Sequence, residues 1–355
     1  MKKPWGSKKV FFYSIVFIKK FIMIDLKSIL VTLSFGIIAV INTASVFYPR
    51  LLIKNALPGN GWVSDRFIVP IGVWALGCTL GLYSGLMNGY GAVIFGLFAW
   101  CCGLFHAAGA FEQGVLYHKT VKNRDVSIVS AMAFFGIVII FFGVLHHKWP
   151  GFFNVCVLSQ YTVSEHSVPY TMWFNFDRTV LAMMLCMYGA HCPKPSESFH
   201  RKKDRVFWIS AGFAATVTVV VLCGLGIGYI EWDIKWPSIL GLWSLNNIFF
   251  VCFIEEVWFR GFLQGRIKQG FTRLLSPNIM GYRPHILAAS VIFGMDHAIK
   301  GGPVYGALAM LVGLFYGAVY DGTGRIQYAW AVHFLFNLLH IVLFTYPAST
   351  GIFSR

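Results

Sequence analysis

Acid is what this chain has least of. Asp and Glu number 14 against 29 Lys and Arg in 355 residues, and charged residues of both signs make up only 12%. A soluble domain carries about 25% charged residues, so that class is excluded. Eight cysteines are present, yet no two form a Cys-x-x-Cys pair, which removes a zinc ribbon and a dithiol redox motif. Cys78, Cys101, Cys102, Cys186, Cys223 and Cys252 fall inside apolar runs and are expected as buried free thiols. A His-Glu-x-x-His helix, the signature of many zinc proteases, is missing. So is any low-complexity linker or any segment with the composition of a soluble domain.

What fills the chain instead is apolar: 57% of residues are hydrophobic and the mean hydropathy is +0.66. A spanning helix takes about 20 mostly apolar residues. That length picks out Ile29–Tyr48, Phe67–Met87, Tyr90–Ala110, Val126–Leu145, Tyr170–Tyr188, Val206–Tyr229, Ile239–Phe259, Pro284–Ile299, Val304–Tyr320 and Ile326–Tyr346. The expected fold is therefore an all-α polytopic transmembrane bundle of about eight to ten spans. Residues 1–27 read as a basic, interfacial N-terminal segment carrying seven lysines, without a small-residue cleavage site. Residues 28–205 read as N-terminal transmembrane helices, 206–346 as a transmembrane core and 347–355 as a tail.

The net charge of +15 is not a nucleic-acid signal, because the cations sit at the ends of apolar spans and no RNA- or DNA-binding motif accompanies them. The partner this pattern predicts is the lipid bilayer. Lys194–Arg205 and Arg266–Arg283 are both basic loops and should both be cytoplasmic, with Glu231–Lys235 on the other side. On that count Glu255 lies toward the cytoplasmic end of its helix. Counting backwards starts Ile29–Tyr48 outside, against its basic flank. Either the first segment crosses or lies in the interface, or one early span is miscounted.

Chemistry concentrates where charge is most costly. Phe253-Ile254-Glu255-Glu256-Val257-Trp258-Phe259-Arg260 sets two adjacent carboxylates and a guanidinium in an apolar helix. Ionisable groups at membrane depth face the protein interior and mark function. Glu256 and Arg260, four apart, share a helical face and can pair. Glu255 is rotated off that face and is free for chemistry. Further on, Phe293 and His297 stand four apart, as do His333 and Asn337. Those residue types permit hydrolysis. A carboxylate in an apolar pocket is suited to act as general base, so Glu255, helped by His297, deprotonates a water. His333 and Asn337 then donate to the developing oxyanion. Asp296, directly before His297, and His340, three beyond Asn337, are further cavity candidates.

The order Glu-Glu-x-x-x-Arg, Phe-x-x-x-His, His-x-x-x-Asn, each on an apolar helix, resembles the CPBP (Abi) intramembrane proteases, which include the CAAX prenyl endopeptidases. The resemblance covers about Trp208–Phe344, with the Gly313–Gly317 run and the Asp321–Gly324 turn. Asn175-Phe176-Asp177-Arg178 is a weaker echo. It implies a metal-independent glutamic endopeptidase needing no cofactor, with Glu255 as base, His297 as its partner, His333 and Asn337 as oxyanion hole, and Glu256 with Arg260 as a structural pair. The implied substrates are membrane-associated peptides or prenylated C-termini, cut near the cytoplasmic face. The implied location is a bacterial cytoplasmic membrane, or the endoplasmic reticulum in a eukaryote. Two other readings stay open. A His₂Glu set is a genuine zinc-ligand type, which makes a zinc protease of Glu255, His297 and His333 the first. The second is a transporter or a non-catalytic scaffold, in which Glu255 is a relay or packing acid, the histidines are satisfied core groups and Asn337 joins two helices.

Overall fold

The computed structural model describes residues 65–112, 123–187 and 202–353. The Ile29–Tyr48 span and the N-terminal basic segment lie outside these residues. In chain order the elements are α1 (Asp65–Ser84), α2 (Gly89–Glu112), α3 (Asn123–Leu145), β1 (Val155–Tyr161), β2 (Tyr170–Phe174), α4 (Phe176–Met187) and α5 (Lys202–Gly226). They continue with α6 (Leu240–Leu274), α7 (Pro277–Gly281), α8 (Pro284–Thr323) and α9 (Ile326–Leu343). Five stretches among the described residues are long and apolar enough to cross a membrane: Ile128–Leu145, Lys203–Gly226, α6, α8 and α9. The expected eight to ten spans are thus not all found among these residues. The protein is an integral membrane protein, mostly helical.

Two expectations need correction. The bundle is not purely helical, because Tyr170–Phe174 pairs antiparallel with Val155–Tyr161 where a membrane span was expected to begin. Aromatic and β-branched residues dominate Tyr170–Phe174 (Tyr170, Thr171, Trp173, Phe174), and they favour a pleated, half-buried surface. The helix that follows, α4, has only 12 residues, too few for a bilayer that takes about 20. It is nevertheless central: Phe176 and the run Val180–Leu185 are buried in the main core.

The second correction concerns α8. Its 40 residues do not run straight, because Gly302 adopts φ 84°, ψ 173° and Pro303 follows it. A positive φ suits glycine, which has no Cβ to clash. The two halves therefore fold back on each other, as the predicted spans 284–299 and 304–320 require. A Cβ on Gly294 would lie 2.7 Å from the Gly306 carbonyl oxygen, and one on Gly317 would lie 2.9 Å from Ile286. Glycine here is a condition of close approach. Gly294→Ala is expected to cost about 1–3 kcal/mol through overpacking, because the backbone oxygen it meets cannot swing aside. Thermal unfolding in detergent would show this against Gly281→Ala, where nothing lies within 4 Å.

The bundle has two chemically distinct ends. At one, Asp321 pairs with Lys268 at 2.5 Å, His285 at 3.0 Å and Arg283 at 3.4 Å. Arg283 also lies over Trp208 of α5. We call this the basic end. At the other, Lys235 N–H donates to the Val342 carbonyl and Asp233 N–H to that of Leu343. Ser164 donates to Asp233, which links the β-hairpin to the same cap. Burial alone would raise the Asp233 carboxyl, but the hydrogen bonds from Ser164 and Lys235 hold it below the usual carboxylate range.

Candidate active site

The α6 helix is built from alternating geometries. Two π-helical stretches, Asn247–Cys252 and Glu256–Gln264, flank the short α-helical segment Phe253–Glu255. π turns in helices cluster at functional sites. Their five-residue period is visible in side chains: the Cys252 thiol donates to Asn247 Oδ1 at 3.1 Å. All nine residues of Glu256–Gln264 are buried.

Glu256 is wholly buried and works as a hub. Its Oε2 lies 3.3 Å from Arg260 Nε, and its Oε1 accepts from His333 Nδ1 at 2.9 Å. Arg260 in turn sits 4.3 Å over the Phe293 ring and donates to the Gly313 carbonyl. A buried charge needs such company, since isolated burial costs several kcal/mol. Tyr316 stacks on His333 at 4.6 Å between centroids and fixes the plane of the imidazole.

Glu255 faces the other way, onto a cavity of about 370 Å³. His297 Nε2 stands 3.7 Å from Glu255 Oε2, and His333 Nε2 stands 4.0 Å from the same oxygen. These separations exceed a hydrogen bond, so the two imidazoles surround the carboxylate without sealing it. Each ring is oriented from behind. His297 Nδ1–H donates to the Phe293 carbonyl at 2.8 Å, and His333 Nδ1–H is given to Glu256. Both Nε2 atoms are therefore turned toward Glu255. Asn337 lines the same cavity, and its amide donates to Asn247 Oδ1 at 3.2 Å.

Of the remaining candidates, Phe293 and His340 line the cavity. Asp296 does not. It is buried against Lys300 at 2.5 Å and His146 at 3.0 Å, because one residue of helical rotation turns it from His297 toward the end of α3. His146, one residue beyond α3, is thereby half-buried as its partner. His147 lines the cavity and accepts from the Arg178 guanidinium at 2.6 Å. His106 and His191 have side chains outside the described residues.

Sequence reasoning missed Asn246, Asn247, Tyr305 and Tyr346, all in the cavity wall. The two asparagines carried a usable signal, being adjacent carboxamides in an apolar span. Tyr305 and Tyr346 carried none, since tyrosines are common at membrane boundaries. Burial pushes the Tyr346 phenol up to about 12, so it is a neutral hydroxyl there, accepting from Trp243 Nε1 at 3.1 Å. Among the described residues no three His, Cys, Asp or Glu side chains are disposed to hold a metal ion.

Residues 236–339 match the family of Rce1-like type II CAAX prenyl endopeptidases. The matched segment holds Glu255, Glu256, Arg260, Phe293, His297, His333 and Asn337 and stops one residue short of His340. Comparison with curated proteins and with solved structures gave no match.

Proposed function

We infer, from a chain whose residues 236–339 match the Rce1-like type II CAAX prenyl endopeptidases, that it hydrolyses peptide bonds inside the membrane with a water activated by Glu255. The observation that carries this reading is the convergence of His297 Nε2 and His333 Nε2 on one oxygen of Glu255 at 3.7 and 4.0 Å. Gaps of that size suit a bridging water. With Nδ1–H committed to Phe293, the free Nε2 of His297 accepts a hydrogen bond from the water and orients it while Glu255 takes its other proton, leaving hydroxide as the nucleophile. The water oxygen bonds to the carbonyl carbon, and the carbonyl electron pair moves onto its oxygen. Collapse breaks the C–N bond, and Glu255 returns its proton to the leaving nitrogen.

The oxyanion falls to Asn337, with His333 beside it. His333 has already given Nδ1–H to Glu256, so it donates from Nε2 only as the doubly protonated ring. The Asn337 amide donates regardless of charge and is held by Asn247. Asn337→Ala is expected to cost roughly 3 kcal/mol of transition-state stabilisation. Steady-state kinetics on a membrane-anchored peptide would show kcat falling about 100- to 1,000-fold with KM little changed.

The zinc alternative rests on residue type, since two histidines and a glutamate are a genuine zinc-ligand set, and not on their disposition, which forms no metal site among the described residues. Strong chelators separate the two. Full activity after treatment supports the glutamate mechanism, whereas loss restored by Zn²⁺ would favour the metal.

A further inference from the structure

The cavity belongs to one end of the bundle. From Glu255 it extends to Thr171 and Trp173 on the β-hairpin, to Tyr229 beyond α5, and to Tyr346 and Pro347 beyond α9. Among the described residues, none between Leu274 and Arg283, and neither Asp321 nor Arg325, lines it. Glu255 and His333 lie near the middle of α6 and α9, while His297 leans toward the same end as the cavity mouth. At about 1.5 Å per helical residue, His297 sits about 20 Å from Pro284 at the basic end but only about 8 Å from the Gly302 turn. The cavity therefore opens away from the basic end, where the sequence-based expectation had placed the reaction.

Charge assigns the two ends to the two sides of a membrane. The basic end carries Lys202, Lys203 and Arg205 at the start of α5, Arg266, Lys268 and Arg273 in α6, then Arg283 and Arg325. At the hairpin end, outside the spans, stand Lys148, Arg178, Lys235 and Lys300; Arg178 lies in the cavity wall against His147, and the last two are paired with Asp233 and Asp296. An excess of Lys and Arg in short loops marks the cytoplasmic side. Trp232 and Trp236, highly exposed on the connection from α5 to α6, fit the aromatic belt of the opposite interface.

We propose that the Glu255 cavity is entered from the non-cytoplasmic face, and that its substrates are membrane-anchored peptides presented on that face instead of prenylated cytoplasmic C-termini. The second half rests on the hydrolase reading; the first does not. An anchored substrate fits because Val220, Val221 and Leu308, from spanning helices, form an apolar part of the wall.

The test uses the full chain in sealed bacterial membrane vesicles of both orientations. A membrane-impermeant maleimide mass tag reads Trp173→Cys at the cavity mouth and Tyr282→Cys, highly exposed at the basic end, against the unsubstituted chain as background. Expected is labelling of Trp173→Cys in right-side-out vesicles, lost in inside-out ones, with the converse for Tyr282→Cys. The opposite pattern, or equal labelling from both sides, overturns the access assignment. Cleavage sites dependent on Glu255 that map to cytoplasmic C-terminal segments would overturn the substrate assignment alone. Peptide termini unaffected by Glu255→Gln would remove the hydrolase reading and with it the substrate assignment, leaving the labelling result to stand by itself.

Discussion

Glu255→Gln is expected to reduce peptide turnover about 100- to 10,000-fold, the usual contribution of a positioned general base. The amide keeps the shape of the side chain and can still accept a hydrogen bond, but it cannot take the water proton. The substitution should leave the fold alone. Glu255 is only partly buried at the cavity wall and has no salt bridge shorter than 3.7 Å among the described residues. Its thermal midpoint in detergent should therefore match wild type. The informative measurement compares peptide termini in membranes from cells expressing the two forms. Termini seen only with wild type identify the substrate and the scissile bond together. Identical termini from two folded proteins would count against proteolysis and favour the transporter or scaffold reading.

The adjacent acid should behave in the opposite way. Arg260→Ala is expected to destabilise the protein by about 3–5 kcal/mol, because it strands a buried carboxylate. Glu256 is wholly enclosed, Arg260 is 2% exposed, and the guanidinium also packs on Phe293 and Tyr316. The loss should appear as low yield and a depressed midpoint. The paired substitution Glu256→Gln with Arg260→Met should recover much of it, since neutral groups of similar volume often replace a buried ion pair at little cost. Activity should not recover, because Glu256 also orients His333. A double variant no more stable than Arg260→Ala would show that packing of the arginine, not its charge, holds this region. Two neighbouring glutamates thus divide into one that is spent on structure and one that is available.

That division was legible before any coordinates, from the spacing of Glu256 and Arg260 alone. The cost of a polar group at membrane depth is high enough that each such residue in α6, α8 and α9 needs a reason, and this drew attention to Glu255, His297, His333 and Asn337. The same argument was available for Asn246 and Asn247 and would have supplied the carboxamide that holds Asn337. It failed for Asp296 because helical phase alone does not say which neighbour occupies the adjacent direction. His146 arrives from α3, across more than a hundred residues of sequence. Span counting failed at Tyr170 for a related reason. Hydropathy cannot separate an aromatic strand that covers a cavity from the first turns of a membrane helix. The mouth of the cavity was hidden for the same cause, being assembled from a hairpin and two loops with no common motif.

The alternating α and π turns of α6 make that helix a vernier. A π turn holds about one residue more than an α turn, so each of the two π stretches takes up an extra residue with little change in the phase of what lies beyond it. In the first, the extra residue brings Cys252 under Asn247. In the second, Arg260 reaches Glu256 while Gln264 still reaches the Gly317 carbonyl at 2.9 Å. Removing a single residue from either stretch would let it relax to an ordinary α-helix over nearly the same rotation, keeping the phase beyond it but losing the five-residue contact within it, such as that of Cys252 with Asn247. The helix thus has slack of about one residue in each π stretch and none in the α-helical segment Phe253–Glu255 between them, where a residue gained or lost would turn one half of the site by about 100° against the other.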